Sequence, residues 1–507
     1  MNALVSFVRA QGGELAVHAY EHLSLTVISL GIATVIGLPL GVWLTRRPSL
    51  SASVLALASV LQTVPSLALL GILIPLTGIG RTPAIIALLL YALLPIVRNT
   101  VVGVGQVDPA VREAAVAMGM KDGQLIAKVE LPLALPVIFA GVRTATVVGV
   151  GVATLAALVG AGGLGVYIFR GISLADTSLV LTGAVPAALL ALVLDGALGL
   201  VERRLDRLFK PALLAFAALL LLAALRSCAP ASSLKIAMPA EFMERKDGYA
   251  GLAAKYGLRA EVVEMDHGLM YRALADGRVD AAVGYSTDGE IARYGLSVLA
   301  DDAHYFPPYW AAPIARSEVL AKHPELGAAL DKLSGRINAA EMAAMNARVE
   351  HDHETPAAVA ESFLRSAGVA PGPPRRGDPA DVVIGSKIFA EQYVLAELLA
   401  EVVETYTPLR VKLTTGLGGT KICFDALRRG DIDVYPEYTG TGLFAILGET
   451  NATDTTADAV YQRVRREFAA RYAVTWLSPF GFENTYAVIV RADDGAHRIS
   501  DLLERQK

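Results

Sequence analysis

FKPALLAFAALLLLAALRSC, residues 209–228, divides this 507-residue chain into two unlike halves. Between Pro211 and Leu225 the run is uncharged and apolar, and Glu202-Arg203-Arg204-Leu205-Asp206-Arg207 precedes it. N-terminal to it, long apolar runs alternate with short basic connections. C-terminal to it, charged and apolar residues alternate in blocks suited to water. An apolar run placed there reads as a membrane span, and it decides which side of the bilayer the soluble half occupies.

The averages mix these halves. Hydrophobic residues make up 54% of the chain, charged residues only 19%, against about 25% for ordinary soluble domains. Mean hydropathy is +0.47. A net charge of −4 carries no nucleic-acid signal. The two cysteines, Cys228 and Cys423, give neither a disulfide framework nor a metal site. Leu225-Arg226-Ser227-Cys228 has a faint likeness to a bacterial lipobox, but Arg226 and its distance from the N-terminus argue against lipidation. Residues 1–20 carry Arg9, Glu14 and His18 with no compact apolar core, so no cleavable signal peptide is expected.

Spans of about 20 apolar residues are expected near 23–44, 54–76, 84–97, 133–159 and 179–201, followed by 211–225, about six in all. Arg46 and Arg47, then Arg112, Lys121 and Lys128, then Arg203, Arg204, Arg207 and Lys210 fall in alternate connections. Only Arg81 and Arg170 fall in the others. Basic connections stay cytoplasmic, which places the N-terminus and everything after Leu225 outside. Asp195 lies within an apolar run. An intramembrane carboxylate is a functional candidate, though its place near the cytoplasmic end favours helix packing or snorkelling. Gly37 and Gly41 have the spacing of close helix packing, and Arg143 is expected at the interface.

The third connection, 106–132, reads QVDPAVREAAVAMGMKDGQLIAKVELP. Asp108 caps a helix with Pro109 in its first turn. Val111, Ala114, Ala115 and Met118 give it one apolar face, Gly119 breaks it, and 124–129 begin a second short helix. The pattern describes an ordered cytoplasmic knob; an amphipathic helix lying in the interface is the alternative.

After residue 234, β-rich runs (234–238, 260–263, 281–284, 382–385, 410–413, 433–435 and 486–490) alternate with helical ones (268–275, 391–404, 422–429 and 457–470), the mark of α/β layers. APGPPRRG at 370–377 reads as a linker. The pieces on either side echo each other. MYRALADGRVD at 270–280 leads to Tyr285-Ser286-Thr287-Asp288-Gly289, and CFDALRRGDID at 423–433 leads to Tyr438-Thr439-Gly440-Thr441-Gly442. Two like lobes, each with a tyrosine at a strand end, suggest a clamshell that holds ligand between them.

Glu113-Ala114-Ala115, Gly119, Val129 and Leu131-Pro132 resemble the coupling-loop motif of ABC importer permeases. QTVPS at 62–66, YALLP at 91–95 and GAGGLG at 160–165 resemble its glycine betaine/choline branch. The soluble half resembles the matching binding proteins through GSKIFAEQ at 385–392, GGTK at 418–421, DVYPEYTGT at 433–441, FENTY at 482–486, YSTDG at 285–289 and FPPY at 306–309. FPPY precedes GSK here, the reverse of the family's order, so the domain is expected to be circularly permuted, with former termini joined near 370–377.

The resemblance implies an all-α membrane permease with a MetI-like core and a two-lobed α/β binding domain of the periplasmic type II kind. The expected divisions are 1–208 permease, 209–230 an added span and tether, 231–370 the second lobe with a return segment, 371–378 the linker, and 379–507 the first lobe. It implies that Glu113, Ala114, Ala115, Gly119, Leu131 and Pro132 couple to a cytoplasmic ATPase present in two copies, and that the permease pairs with a second copy of itself. The look-alike phosphate loop GLGGTK at 416–421 lacks the required residue order, so ATP and magnesium are expected on the separate ATPase, with no cofactor on this chain. A quaternary ammonium donates no hydrogen bond, and aromatic faces compensate its burial by about 0.5–2 kcal/mol each. By resemblance Tyr438, Tyr486, Tyr285 and Tyr309 form that cage, and Lys387, Thr441 and Arg245, with Lys246 as a rival, receive a carboxylate. Glycine betaine, choline, carnitine, proline betaine and ergothioneine all fit this logic. A membrane-tethered sensor without transport is the alternative from another class. No HExxH, GxSxG or Cys–His pairing supports an enzyme. The expected location is the bacterial cytoplasmic membrane.

Overall fold

The computed structural model describes residues 2–174, 176–203, 234–245, 247–370, 372–449 and 456–506, with side chains from Gly12 to Glu504. The expected span at 211–225, Cys228 and Lys246 lie outside the described residues. The chain forms two units, the membrane helices and the region from 234 onward.

Among the described residues of the membrane unit four helices are long and apolar enough to cross a bilayer: Gly12–Thr45, Arg81–Gly105, Asp122–Val159 and Thr177–Arg203. The expected second span is not one helix. Pro48–Thr63 and Ser66–Thr77 meet at 97°. Pro65 is the cause, because its ring excludes the preceding residue from helical geometry, and Val64 is extended at φ −64, ψ 124. The break is held in place: Tyr91 donates its hydroxyl to the Val64 carbonyl, and Gln62 Nε2 donates to the Tyr91 carbonyl at 2.7 Å. The QTVPS and YALLP stretches therefore form one structural feature.

Small residues let helices Gly12–Thr45 and Arg81–Gly105 approach, as their spacing predicted. A Cβ on Gly41 would lie 2.5 Å from Thr100 Cβ, and Leu30, Ala33, Ala92, Ile96 and Ala145 pack together where Leu131–Ala153 joins them. Asp195 has a helix-packing partner. It receives both Nε and Nη2 of Arg143 at 2.8 and 2.9 Å, while Arg143 Nη1 reaches Glu202 at 2.8 Å. Arg143 is thus a bolt between helices Leu131–Ala153 and Thr177–Arg203.

Among its described residues the second unit contains ten strands: β1 (Leu234–Met238), β2 (Ala260–Glu264), β3 (Ala281–Tyr285), β4 (Leu296–Val298), β5 (Ala311–Arg316), β6 (Val382–Gly385), β7 (Val411–Thr414), β8 (Val434–Tyr438), β9 (Val474–Trp476) and β10 (Tyr486–Arg491). They form two five-stranded sheets of the same design, ordered β2-β1-β3-β10-β4 and β7-β6-β8-β5-β9. In each, three parallel strands are followed by one antiparallel strand from the other part of the chain. The echo between 270–289 and 423–442 is therefore a repeat of fold.

This corrects the expected lobe assignment. Residues 231–370 and 379–507 are not one lobe each, because β5 completes the second sheet and β10 the first. Strands β4, β5 and β9 escaped the sequence reading. β5 is internal to its sheet although it contains Pro313, which would normally confine it to an edge. Pro313 stands opposite Pro436 of β8, so both missing donors fall on one rung of the ladder. The segments that carry the chain between lobes run side by side: Trp310 bridges Glu483, Ala311 N donates to Phe482 O, and Asn484 N donates to Tyr309 O. These two side-by-side segments are the lobe connections, and they stand where a hinge between the lobes would lie.

The expected linker is fastened down. Val411 N donates to Arg375 O at 2.9 Å, Gly377 N donates to Val411 O at 3.1 Å, and Arg376 pairs with Glu397 and Glu404.

Candidate functional site

Three of the four expected cage tyrosines stand at the ends of strands that meet at the cleft between the sheets. Tyr285 ends β3 and Tyr486 begins β10, where they pair directly across the ladder. Tyr438 ends β8 opposite Ala311, and Tyr309 sits on the hinge. The rings form a continuous row. Tyr309 meets Tyr486 edge-on at 5.8 Å, Tyr486 meets Tyr285 at 5.0 Å, Tyr285 stacks on Phe389 at 5.4 Å, and Phe389 stacks on Tyr438 at 6.4 Å. Phe242 and Phe306 pack on Tyr486 at 4.7 and 6.3 Å. The structure thus brings all four tyrosines together through one residue that sequence reasoning did not assign, Phe389. Its signal was present: it lies two residues after Lys387, in a stretch already quoted for the resemblance.

Two of the expected carboxylate receivers, Arg245 and Lys387, lie along this row. Arg245 is buried, with its guanidinium 5.3 Å from the Tyr486 ring centre and 6.0 Å from that of Tyr309. Asp247 takes two of its N–H groups at 2.9 and 2.6 Å, and Tyr309 donates its hydroxyl to the same carboxylate. Burial disfavours charge on Arg245, yet Tyr486, Tyr309 and Asp247 hold its pKa above the ordinary value. Lys387 Nζ pairs with Glu437 at 2.5 Å and lies 5.1 Å from the Tyr438 ring centre. Thr441 is buried in the short helix that follows β8. Asp247 and Glu437 were not foreseen; they are the counter-charges that allow two buried cations beside an aromatic surface.

Below the row lies a third unforeseen carboxylate, Glu391. Burial pushes it up from the usual carboxylate range, opposed by bonds from Thr287, Tyr438, Asn346 and Asn484. Burial likewise raises the Tyr438 hydroxyl, and the Glu391 charge adds to the effect. These phenols stay protonated at any physiological pH and present neutral, electron-rich faces. Chemically, the arrangement offers ring faces for a cation that cannot donate hydrogen bonds, flanked by an ammonium, a guanidinium and a hydroxyl suited to an acid group.

The coupling stretch forms a separate feature in the membrane unit. Asp108 Oδ1 accepts from Ala110 N at 2.8 Å and caps helix Pro109–Ala117. Gly119 at φ +83 reverses the chain, a conformation that favours glycine. The restart at Asp122–Leu125 runs on through a wider turn, Ile126–Glu130, into Leu131–Ala153, with Pro132 in its first turn. Within the expected apolar face Ala115 is buried, while Val111, Ala114 and Met118 are exposed, as is Glu113. Met118 is 73% exposed, so the knob presents apolar surface outward. Glu130, also unforeseen, is fully buried between Arg46 at 2.6 Å and Arg112 at 3.1 Å.

Two families match the chain. The substrate binding domain of the ABC-type glycine betaine transport system covers residues 222–366 and 380–507, and the binding-protein-dependent transport system inner membrane component covers 35–207. The choline transport system permease protein of Bacillus subtilis (strain 168) is 43% identical over 205 residues, 40% of this chain and 94% of its own. The carnitine transport permease protein of Listeria monocytogenes is 49% identical over 207 residues, 40% of this chain and 94% of its own. A solved glycine betaine/carnitine/choline ABC transporter is 42% identical over 27% of this chain and 50% of that one, at a TM-score of 0.24. Matched along both halves, the chain belongs to the ABC-type glycine betaine transport family and carries a permease domain and a substrate-binding domain in one polypeptide.

Proposed function

We propose that this chain takes up a small quaternary-ammonium compound, captured outside the membrane by the ring row and passed through a permease that pairs with a second copy of itself. The observation that carries the reading is the unbroken series Tyr309, Tyr486, Tyr285, Phe389 and Tyr438, drawn from both lobes and the hinge. A trimethylammonium group against several of these faces gains about 0.5–2 kcal/mol from each. Lys387, Arg245 and Thr441 receive the acid group of a betaine. Relatives named for choline and carnitine fit the same class.

Two copies of a cytoplasmic ATPase dock on the knob around Glu113, Ala114, Ala115, Gly119, Leu131 and Pro132, and bind the ATP and magnesium. The alternation of basic connections supports an N-terminus and a binding domain outside. The span at 211–225 tethers that domain, and a short tether raises its concentration at its own permease to about the millimolar range. The order of motifs supports a circular permutation whose former termini meet at 371–378.

Calorimetric titration of the full chain in lipid nanodiscs with glycine betaine, choline, carnitine, proline betaine and ergothioneine tests the reading, with dimethylglycine as the control. At least one trimethylammonium compound binds, and dimethylglycine binds more weakly. Parental affinity in both Tyr309→Ala and Tyr438→Ala overturns it.

A further inference from the structure

Glu391 stands in the first turn of helix Ala390–Tyr406, between Phe389 of the ring row and Gln392, whose Nε2 donates to the Tyr438 hydroxyl at 3.2 Å. The Glu391 side chain is 2% exposed and accepts four hydrogen bonds from four separate segments. One oxygen takes Tyr438 Oη at 2.7 Å and Asn484 Nδ2 at 2.8 Å. The other takes Thr287 Oγ1 at 2.5 Å and Asn346 Nδ2 at 3.2 Å. An ionised carboxylate is a pure acceptor with room for about four donors, so the set matches its capacity.

The donors come from every part that must move when a clamshell opens. Tyr438 is a wall of the site on the lobe built on β8. Asn484 lies on the hinge. Thr287 follows β3 on the opposite lobe. Asn346 belongs to helix Ala339–Glu350, and its Nδ2 also donates to Thr287 O at 2.8 Å. Separation of the lobes removes Thr287 from a buried charged acceptor. Bonds to charged groups are the strong ones, and an acceptor left unsatisfied in the interior is costly.

We propose that Glu391 is a positioning residue that latches the lobes shut around the ligand by tying Tyr438 to the hinge and to the opposite lobe. It touches no ligand. It acts by orienting Tyr438 and by making closure cooperative with an ordered site wall. The proposal rests on the ring row as the ligand site.

The test uses the full chain in nanodiscs with radiolabelled glycine betaine and radiolabelled choline. It reads association rate, dissociation rate and the melting midpoint without ligand. Thr287→Val removes the hydroxyl bond to Glu391 and keeps the Asn346 Nδ2 bond to the Thr287 carbonyl. It is expected to speed dissociation about tenfold, the effect of one charged hydrogen bond, with association and the ligand-free midpoint unchanged. Glu391→Gln sets an amide N–H₂ against two donors and is expected to speed dissociation at least as much. Parental dissociation rates in both variants, or a lowered ligand-free midpoint as their sole effect, overturn the latch and leave the ligand site standing. If the parent binds neither compound, the ligand-site reading and the latch fall together.

Discussion

Arg46 and Glu130, 84 residues apart in sequence, meet at 2.6 Å where the Glu130 side chain is fully buried. Arg46 follows the first long helix and Glu130 ends the turn that leads out of the knob at 106–130. Arg112, on the knob helix itself, closes on the same carboxylate at 3.1 Å. One buried charge therefore fixes the knob to the permease body.

Replacing Glu130 with Ala leaves two guanidiniums facing each other across a buried gap. The expected loss is about 1–3 kcal/mol, toward the lower end because Arg46 is 40% exposed on its side chain. Thermal unfolding in detergent measures it. Uptake is expected to fall further than ATPase binding, since the knob's exposed face remains while its anchorage is lost; equal loss of both would count against the anchoring role.

Arg143 and Asp195 form a two-pronged ion pair between membrane helices. Removing one partner strands a charge in a setting where charges are expensive. Asp195→Leu and Arg143→Leu are each expected to lower the melting midpoint. The double variant is expected to be less damaged than the sum of the two, because Asp195 is no longer left facing a missing partner, while Glu202 loses Arg143 equally in the Arg143→Leu and the double variant. Additive damage in this cycle would refute the pairing.

Phe389 joins the two lobes' rings without a polar atom, so Phe389→Ala tests the aromatic surface apart from hydrogen bonding. Loss of one face costs about 0.5–2 kcal/mol, which is about a 2- to 30-fold weaker dissociation constant for choline or glycine betaine by calorimetry. Phe389→Tyr is expected to bind close to the parent.

Beneath Tyr285 lies a group of ionisable side chains whose pH response has a definite sign. His267 Nε2 meets Asp288 at 2.9 Å, Tyr271 donates its hydroxyl to Asp288, and Glu290 and Glu350 lie close by. Burial pushes Glu350 up to about 8, with Asp288 and Glu290 adding to it. Burial works against protonated His267, but Asp288 outweighs it and the pKa is raised. Both groups hold more protons folded than unfolded in the window between their unfolded and folded pKa values. Their contribution is complete below about pH 4.5 for Glu350 and below about pH 6.5 for His267, and it falls as pH rises toward 8. Melting curves across pH 5 to 8 should show a decline that Glu350→Gln flattens; an unchanged slope in that variant would contradict the assignment.

Much of the site was legible because its chemistry is local. Tyr285, Tyr438 and Tyr486 stand at strand ends, and alternating apolar residues give those strands away. The repeated run into Tyr285 and Tyr438 announced two lobes of one design. Glycine spacing announced the Gly41 contact with Thr100. The misses share a cause: each is a pairing of distant residues. Nothing near Glu391 in sequence names Thr287 or Asn484, and nothing near Glu130 names Arg46. Strand β5 was hidden because Pro313 is a poor strand residue until Pro436 stands opposite it.

Taken alone, the sequence determined that an apolar helical half precedes an α/β half, that an ordered knob interrupts the membrane helices, and which tyrosines lie at strand ends. Periodicity and residue type suffice for these, because they act within a few residues along the chain. The tertiary structure decided the rest: the 97° break at Pro65, the exchange of β5 and β10 between sheets, the Phe389 bridge, and the buried carboxylates. A buried charge is stable only when donors gather from several segments at once. Residues 209–228 decide that there are two halves, while the folding of residues 234–506 decides what the second half can hold.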